Sequence, residues 1–225
     1  MEIRSTFHKK LREIEDDVLV MGGMVGTAIL RSIECLTTRD IVLAKQIVAD
    51  DKIINEKRFE IEEKCIQLIA TQQPMANDLR IIVAVLNIIT EVERIGDYAA
   101  GIAKIAIMIG DEPPLKPLID IPRMAEQTVD MLRRSLDAFI NHNTEVARKI
   151  STEDDVIDQL YDQIFSELLN IMLEDPKTIT RATRLIWVAH DLERSADRVT
   201  NICERVIFVE TGKMEEIQAE KYYLG

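Results

Sequence analysis

The sequence predicts an all-α protein built as two tandem, pseudo-symmetric three-helix bundles. Three observations support this fold class: helix-breaking residues are few, apolar residues recur at helical spacing, and one motif occurs twice. Eight Gly and six Pro are spread over 225 residues, 47% of the residues are apolar and only 4% are aromatic. A chain of this size and composition buries a substantial core in one large domain or two ordinary ones.

Three helices are expected in the first half. The first spans about residues 6–36, with a bend expected near Gly22, Gly23 and Gly26. The second begins after Asp40, a suitable N-cap, and ends near residue 72. The third follows Pro74 and spans about 76–109. Residues 110–117 form the only Pro-dense stretch, which predicts a linker between domains 1–112 and 113–225.

The second half repeats this plan. Its expected helices span about 121–141, 144–173 and 178–210, with Gly212 as a stop and a polar, frayed tail from 213 to 225. The third helix of the first half has an aliphatic seam of Ile81, Val85, Ile88, Val92, Ile95, Ala99 and Ile102. One hundred positions later the seam has two polar members, Arg181 and Ser195, so looser packing is expected there.

A sequence motif shared by the two halves indicates an internal duplication. Residues 91–97 (EVERIGD) align with residues 191–197 (DLERSAD) on the last helix of each half. On each middle helix, residues 51–55 (DKIIN) likewise align with residues 154–158 (DDVID).

The duplicated segments contain four pairs of oxygen-bearing side chains, and the members of each pair are four residues apart. Such spacing places both members on one face of a helix. The pairs are Asp51/Asn55, Glu93/Asp97, Asp154/Asp158 and Glu193/Asp197. Carboxylate and amide oxygens suit Mg, Mn, Ca and sometimes Fe, so two pairs on neighbouring helices could form one metal cluster. His190, three residues before Glu193, could extend such a site.

The alternative is ordinary surface charge. The chain has a formal net charge of −12, and Glu93 and Asp97 lie off the aliphatic seam, where they would face solvent. The same charge disfavours nucleic acid and anionic membranes as partners. Both interpretations of the acidic pairs remain open from the residues alone.

Several features favour a soluble, cytoplasmic, non-enzymatic protein. Cys35, Cys65 and Cys203 are unevenly spaced outside any CxxC pattern, as expected for buried free thiols in a reducing compartment. The N-terminus is too charged for a signal peptide, and Lys104 interrupts the best candidate for a membrane-spanning run. Phosphate-binding loops, HExxH and nucleophile-elbow patterns are absent, and Trp187 is expected in the core.

Several motifs resemble the PhoU family of bacterial phosphate-uptake regulators. The matching segments cover nearly the whole chain: residues 7–11 (FHKKL), 20–25 (VMGGMV), 72–80 (QQPMANDLR), 93–97 (ERIGD) and 191–202 (DLERSADRVTNI). The resemblance implies two three-helix bundles that repress phosphate uptake and the phosphate-starvation response. It implies the phosphate ABC transporter's ATPase and a phosphate-sensing histidine kinase as partners, with any membrane association made through them.

The resemblance also implies metal clusters on the bundle surface, with Fe, Zn, Mn or Mg as the ion. The corresponding positions are Asp51, Glu93, Asp97, Asp154, Asp158, Glu193 and Asp197, and Asn55 stands where the family pattern has an acid. Because an amide oxygen is a weaker ligand, a weaker first-half site is expected. A homodimer is expected as well. The competing functions are a metal-dependent phosphohydrolase and a metal-free helical scaffold.

Overall fold

The computed structural model describes residues 2–215, with side chains described from residue 6 onward, and consists of six long α-helices. They are α1 (Glu2–Thr38), α2 (Ile41–Gln72), α3 (Asn77–Ile109), α4 (Asp120–Ile140), α5 (Thr144–Glu174) and α6 (Ile179–Thr211), with a 3-10 turn at Pro176–Thr178. The all-α prediction is confirmed. The expected fraying beyond residue 215 lies outside the described residues.

The helix boundaries follow from capping residues at equivalent places in the two halves. Asp40 accepts hydrogen bonds from the backbone N–H groups of Val42 and Leu43 at 3.0 and 2.9 Å, which confirms it as the N-cap of α2. Asn143 caps α5 in the same way. Gly212 ends α6 in the left-handed region, with φ of 70°, as expected.

Each half is a bundle of three helices, and the two bundles pack side by side. Within the first half α1, α2 and α3 all contact one another, and α4, α5 and α6 do so in the second. Across the halves α3 packs on α6 and α1 packs on α4, so one apolar core runs through both bundles. All seven predicted seam residues of α3 are buried.

The two polar members of the second seam are hydrogen-bonded. Arg181 forms an ion pair with Glu112 at 3.0 Å and donates to the Pro113 carbonyl at 2.9 Å, which holds the linker against α6. Ser195 is fully buried and donates its hydroxyl proton to the Asp191 carbonyl at 2.7 Å. Both side chains therefore have hydrogen-bond partners, so their place in the seam does not incur the energetic cost of an unsatisfied polar group.

The interface between α3 and α6 contains two acids at equivalent positions with different partners. Glu91 accepts hydrogen bonds from Arg198 at 3.4 Å and from Asn201 at 3.2 Å. Asp191 instead lies against Gly101, where an added Cβ would come within 2.9 Å of its Oδ2. Burial raises the pKa of Asp191 to about 6.

Among the described residues, α1 is the one helix that is both long and apolar enough to cross a membrane. By length and composition Thr6–Thr38 could cross a bilayer, whereas the sequence pattern had singled out the stretch around Lys104. In the fold, 50% of its most apolar window is buried inside the molecule, as in the core helix of a soluble protein. The expected bend at the glycines does not interrupt α1, and Gly22 allows the close approach of Leu136 from α4.

Two further expectations about the core have opposite outcomes. Cys35, Cys65 and Cys203 are buried free thiols, as predicted, and burial raises the pKa of each. The core position expected for Trp187 is wrong, because 51% of this residue is exposed. Val188 and Ala189, the next residues along α6, occupy the buried side instead.

Candidate functional site

The first-half motif lies on adjacent turns of α2 and α3. Asn55 donates its amide proton to Asp51 Oδ2 at 3.3 Å, one helical turn away. Burial, and next the charge of Asp97 on α3, raise the pKa of Asp51. Burial and then Asp97 also raise the pKa of Glu93, with a smaller contribution from Asp51. The fold therefore brings Asp51, Glu93 and Asp97 within electrostatic reach of one another, as the spacing predicted.

The second-half motif occupies the equivalent turns of α5 and α6. Burial first, and then the charges of Asp197, Asp158 and Asp154, raise the pKa of Glu193 to about 7 against the opposing effect of Arg194. Asp154 is only 1% exposed, whereas its counterpart Asp51 is half-buried. The other three predicted acids of this half thus lie within electrostatic reach of Glu193.

Arginine side chains offset part of the negative charge, and sequence reasoning missed one of them. Arg58 on α2 forms an ion pair with Glu93 at 3.5 Å. A shift of 103 residues, which takes Asp51 to Asp154, takes Arg58 to Tyr161. In the second half, Arg194 donates to Asp197 Oδ2 at 2.8 Å. Aligning the two middle helices by this shift shows that Arg58 and Tyr161 are equivalent positions, whereas their contacts with the acids depend on how the helices pack.

His190 lies beside the second-half motif, as its spacing suggested. Its Nδ1 is 3.4 Å from Glu193 Oε2, and its ring centroid is 6.0 Å from that of Tyr161. The Glu193 Oε2 atom is buried and makes no hydrogen bond among the described residues. Imidazole nitrogen is a metal ligand by type, although 51% of the His190 side chain is exposed.

The two motifs offer mainly carboxylate oxygens to a metal ion. Within the described side chains, residues 6–215, no group of three or more His, Cys, Asp or Glu converges closely enough to form a metal site. The chemistry of the donors nevertheless fits a hard cation, because they are carboxylate and amide oxygens. Burial, and next the charge of a neighbouring carboxylate, raise the pKa values of Asp51, Glu93 and Glu193. Binding would require these side chains to turn toward a common point.

The architecture defines a class of protein: a two-bundle helical chain that carries one acidic motif between the middle and last helix of each bundle. The model of the PhoU domain family matches the chain twice, at residues 18–106 and 121–206, so each match includes one acidic motif. The chain therefore belongs to the PhoU family. The domain boundary at residue 112/113 stays a prediction.

Individual relatives match over almost their entire length. A PhoU homolog of Clostridium acetobutylicum, described as a phosphate-specific transport system accessory protein, is 39% identical over 215 residues, covering 95% of this chain and 98% of the relative. The PhoU protein of Escherichia coli K12, described by the same words, is 34% identical and covers 94% of this chain and 88% of its own length.

Two crystal structures share the fold. The phosphate transport system regulatory protein PhoU from Streptococcus pneumoniae superimposes with a TM-score of 0.87 at 30% identity, covering 93% of this chain and 99% of that one. PhoU from Pseudomonas aeruginosa gives 0.86 at 32% identity, with 92% and 100% covered. The prediction of two pseudo-symmetric three-helix bundles is confirmed.

Proposed function

We propose that this chain is a cytosolic regulator of phosphate transport that represses phosphate uptake and the phosphate-starvation response when phosphate is plentiful. The observation that carries the proposal is the match of the PhoU domain model to both halves, each containing one acidic motif. Relatives that match over nearly the full chain are described as phosphate-specific transport system accessory proteins. Their descriptions place them with the transporter and assign them no reaction.

The regulator would act as an adaptor that binds the transporter's ATPase and the phosphate-sensing histidine kinase, and would reach the membrane only through such partners. Exposed apolar side chains support contacts with other proteins. Phe165, Leu169 and Leu173 follow one another at four-residue spacing on α5, and Trp187 is exposed on α6 of the same bundle. Contiguous apolar surface of this kind is typical of protein interfaces, so a homodimer stays an expectation as well.

Metal binding at the two acidic motifs forms a second part of the proposal. Asp51, Asn55, Glu93 and Asp97 would hold metal in the first half. Asp154, Asp158, Glu193 and Asp197 would do so in the second. A bound Fe, Zn, Mn or Mg ion would neutralise the mutual repulsion that raises the pKa values of Glu93 and Glu193. It would also present a positive centre to acidic groups of a partner.

An adaptor is favoured over a phosphohydrolase by the surroundings of these carboxylates. Hydrolysis by two metals requires a shaped, water-excluding cavity around the ions. Asp97 is exposed, and none of the three cavities described in this fold is lined by Glu93 or Glu193. We therefore propose no reaction for this chain.

The experiment is deletion of the gene in a host that encodes it, with a phosphate-responsive reporter read at high phosphate. The expected result is increased reporter output that wild-type protein reverses. Glu193→Gln/Asp197→Asn should fail to reverse it at equal protein level. The matched control is Glu126→Gln/Asp130→Asn, an acidic pair of the same spacing on α4 outside the motifs, which should restore repression.

Two outcomes would count against the proposal in different ways. Unchanged reporter output after deletion would contradict the regulatory function itself. Full repression by Glu193→Gln/Asp197→Asn would be compatible with the regulatory function but would show that this function does not require the second acidic motif.

A further inference from the structure

Two cavities of similar size occupy equivalent places in the two halves. The first, of about 420 Å³, opens between α1 and α2, and the second, of about 400 Å³, opens between α4 and α5. The shift of 103 residues relates their linings to each other. The pairs that matter here are Thr27/Asp130, Arg31/Arg134 and Asp50/Glu153.

In the second cavity, the guanidinium of Arg134 is bound by two carboxylates. Its Nε donates to Asp130 Oδ2 at 2.7 Å, one helical turn away on α4. Its two terminal nitrogens donate to the two oxygens of Glu153 on α5. One arginine thus holds two carboxylates, the fork geometry in which a guanidinium binds acids most strongly.

In the first cavity the equivalent arginine lacks one of these acids. Thr27 stands in place of Asp130 and donates its hydroxyl proton to the Gly23 carbonyl at 2.8 Å. Within the described part of the chain, Arg31 has a single ion-pair partner, Asp50, at 3.6 Å and without a hydrogen bond. Because a guanidinium has five N–H donors, Arg31 keeps the capacity to bind a second carboxylate.

The remaining lining of the first cavity is apolar and reaches the third helix. Gly96 and Ala100 of α3 line it, together with Met24 and Ala28 of α1. In the second half, Ala196 and Thr200 take the places of Gly96 and Ala100, and no residue of α6 lines that cavity. The smaller residues of α3 therefore leave an apolar floor that only the first half has.

We propose that the first-half cavity binds a small amphipathic carboxylate, whose head group takes on Arg31 the place that Asp130 takes on Arg134. Its apolar chain lies on Gly96 and Ala100, in a cavity of ordinary size for small ligands. Asp50 shares the guanidinium with the ligand, as Glu153 does in the second half.

The acidic surroundings do not prevent binding at this place. Asp51 also lines the cavity, but its carboxylate accepts a hydrogen bond from Asn55 and interacts with Asp97 and Lys104 on the α3 side. The net charge of −12 acts over longer distances, and salt at physiological concentration screens interactions beyond about 8 Å.

The test is a calorimetric titration of the full chain, freed of metal by chelation, with octanoate. Octan-1-ol and octylamine serve as probes with the same chain and a neutral or positive head group. Saturable binding of octanoate to one site is expected. Octan-1-ol should bind at least about tenfold more weakly, the effect of losing hydrogen bonds between charged groups, and octylamine should not bind.

Two variants locate the site and one controls for it. Thr27→Asp supplies the carboxylate that the second half already has and should lower octanoate affinity at least about tenfold. Gly23→Leu should abolish binding, because a Cβ at Gly23 meets no atom within 4 Å and the side chain can enter the cavity. It should also raise the denaturation midpoint, which separates occlusion from misfolding. Arg134→Gln should leave octanoate affinity unchanged.

Three results would overturn the proposal. The first is the absence of saturable octanoate binding to the parent chain. The second is unchanged affinity in both Thr27→Asp and Gly23→Leu. The third is binding of octylamine as tight as that of octanoate, since the positive charge of Arg31 repels a cationic head group.

Discussion

The two halves place their acidic motifs on equivalent turns of equivalent helices and surround them differently. In the first half, Arg58 lies 3.5 Å from Glu93, and a neutral amide, Asn55, occupies one position of the motif. In the second half, Tyr161 replaces Arg58 and Asp158 replaces Asn55, so four carboxylates meet with less compensation on the middle helix. Duplication has preserved where the side chains lie, and later substitutions have changed how strongly they repel one another.

The largest difference in stability between the two halves is expected at one position of the seams. Ile95 and Ser195 are equivalent and both fully buried. Ile95→Ala should lower the free energy of unfolding by about 2–5 kcal/mol, because it removes buried methyl groups and leaves a cavity. Ser195→Ala should cost about 1 kcal/mol or less, since it removes one hydrogen bond within α6.

Urea denaturation followed by circular dichroism measures both free energies under the same conditions. Equal losses in Ile95→Ala and Ser195→Ala would contradict the division into a strongly apolar first seam and a partly polar second seam.

The acidic motifs should also differ in their effect on stability against pH. Glu193 has a pKa of about 7 in the fold and an ordinary value of 4.5, so the native state binds more protons between these values. The free energy of unfolding should therefore fall as pH rises from about 4.5 through 7. The difference between the two pKa values corresponds to about 3.4 kcal/mol, and solvent screening of this half-buried carboxylate reduces the expected fall to about 2 kcal/mol. Glu193→Gln should recover that stability at pH 8 and flatten the profile.

The matched variant is Glu93→Gln in the first half, measured like the other in metal-free protein. Its effect should be smaller because the nearby Arg58 offsets the charge of Glu93. A profile of the parent that rises between pH 5 and pH 8, or a larger effect of Glu93→Gln, would contradict the comparison.

The N-caps of the two middle helices give the smallest expected difference. Asp40 accepts two backbone hydrogen bonds, whereas the Asn143 side chain accepts one from Val146 at 3.1 Å. Asp40→Ala should cost about 1–2 kcal/mol and Asn143→Ala about 0.5–1 kcal/mol. Thermal unfolding of both variants beside the parent measures which loss of stability is larger. A larger loss in Asn143→Ala would show that the number of side-chain hydrogen bonds does not determine the strength of these N-caps.

Much of this fold was predictable because its signals are local. Asp40 and Gly212 act through bonds to residues within one turn, so their roles follow from the sequence. The seam of α3 is equally local, since periodicity alone identifies the buried face of a helix. The acidic pairs were predictable for the same reason, as four-residue spacing fixes a common face.

Features that depend on how helices pack were harder to predict. Trp187 was expected in the core because of its residue type. Val188, the next residue, faces the core, and consecutive residues of a helix point in different directions, so Trp187 faces solvent. The contact between Arg58 and Glu93 requires the register of α2 against α3, which no local pattern specifies. The packing of α3 on α6 and the two cavities depend on the same information.

Metal content tests the central claim, that the duplicated acidic motifs are metal sites of unequal strength. Parent protein purified without chelator is compared by elemental analysis with Glu93→Gln/Asp97→Asn and with Glu193→Gln/Asp197→Asn. We expect Fe, Mn, Zn or Mg in the parent, most of it retained in the first-half variant, and most of it lost in the still-helical second-half variant. A parent that contains no metal and fails to load in vitro would contradict the claim and return the acidic pairs to ordinary surface charge.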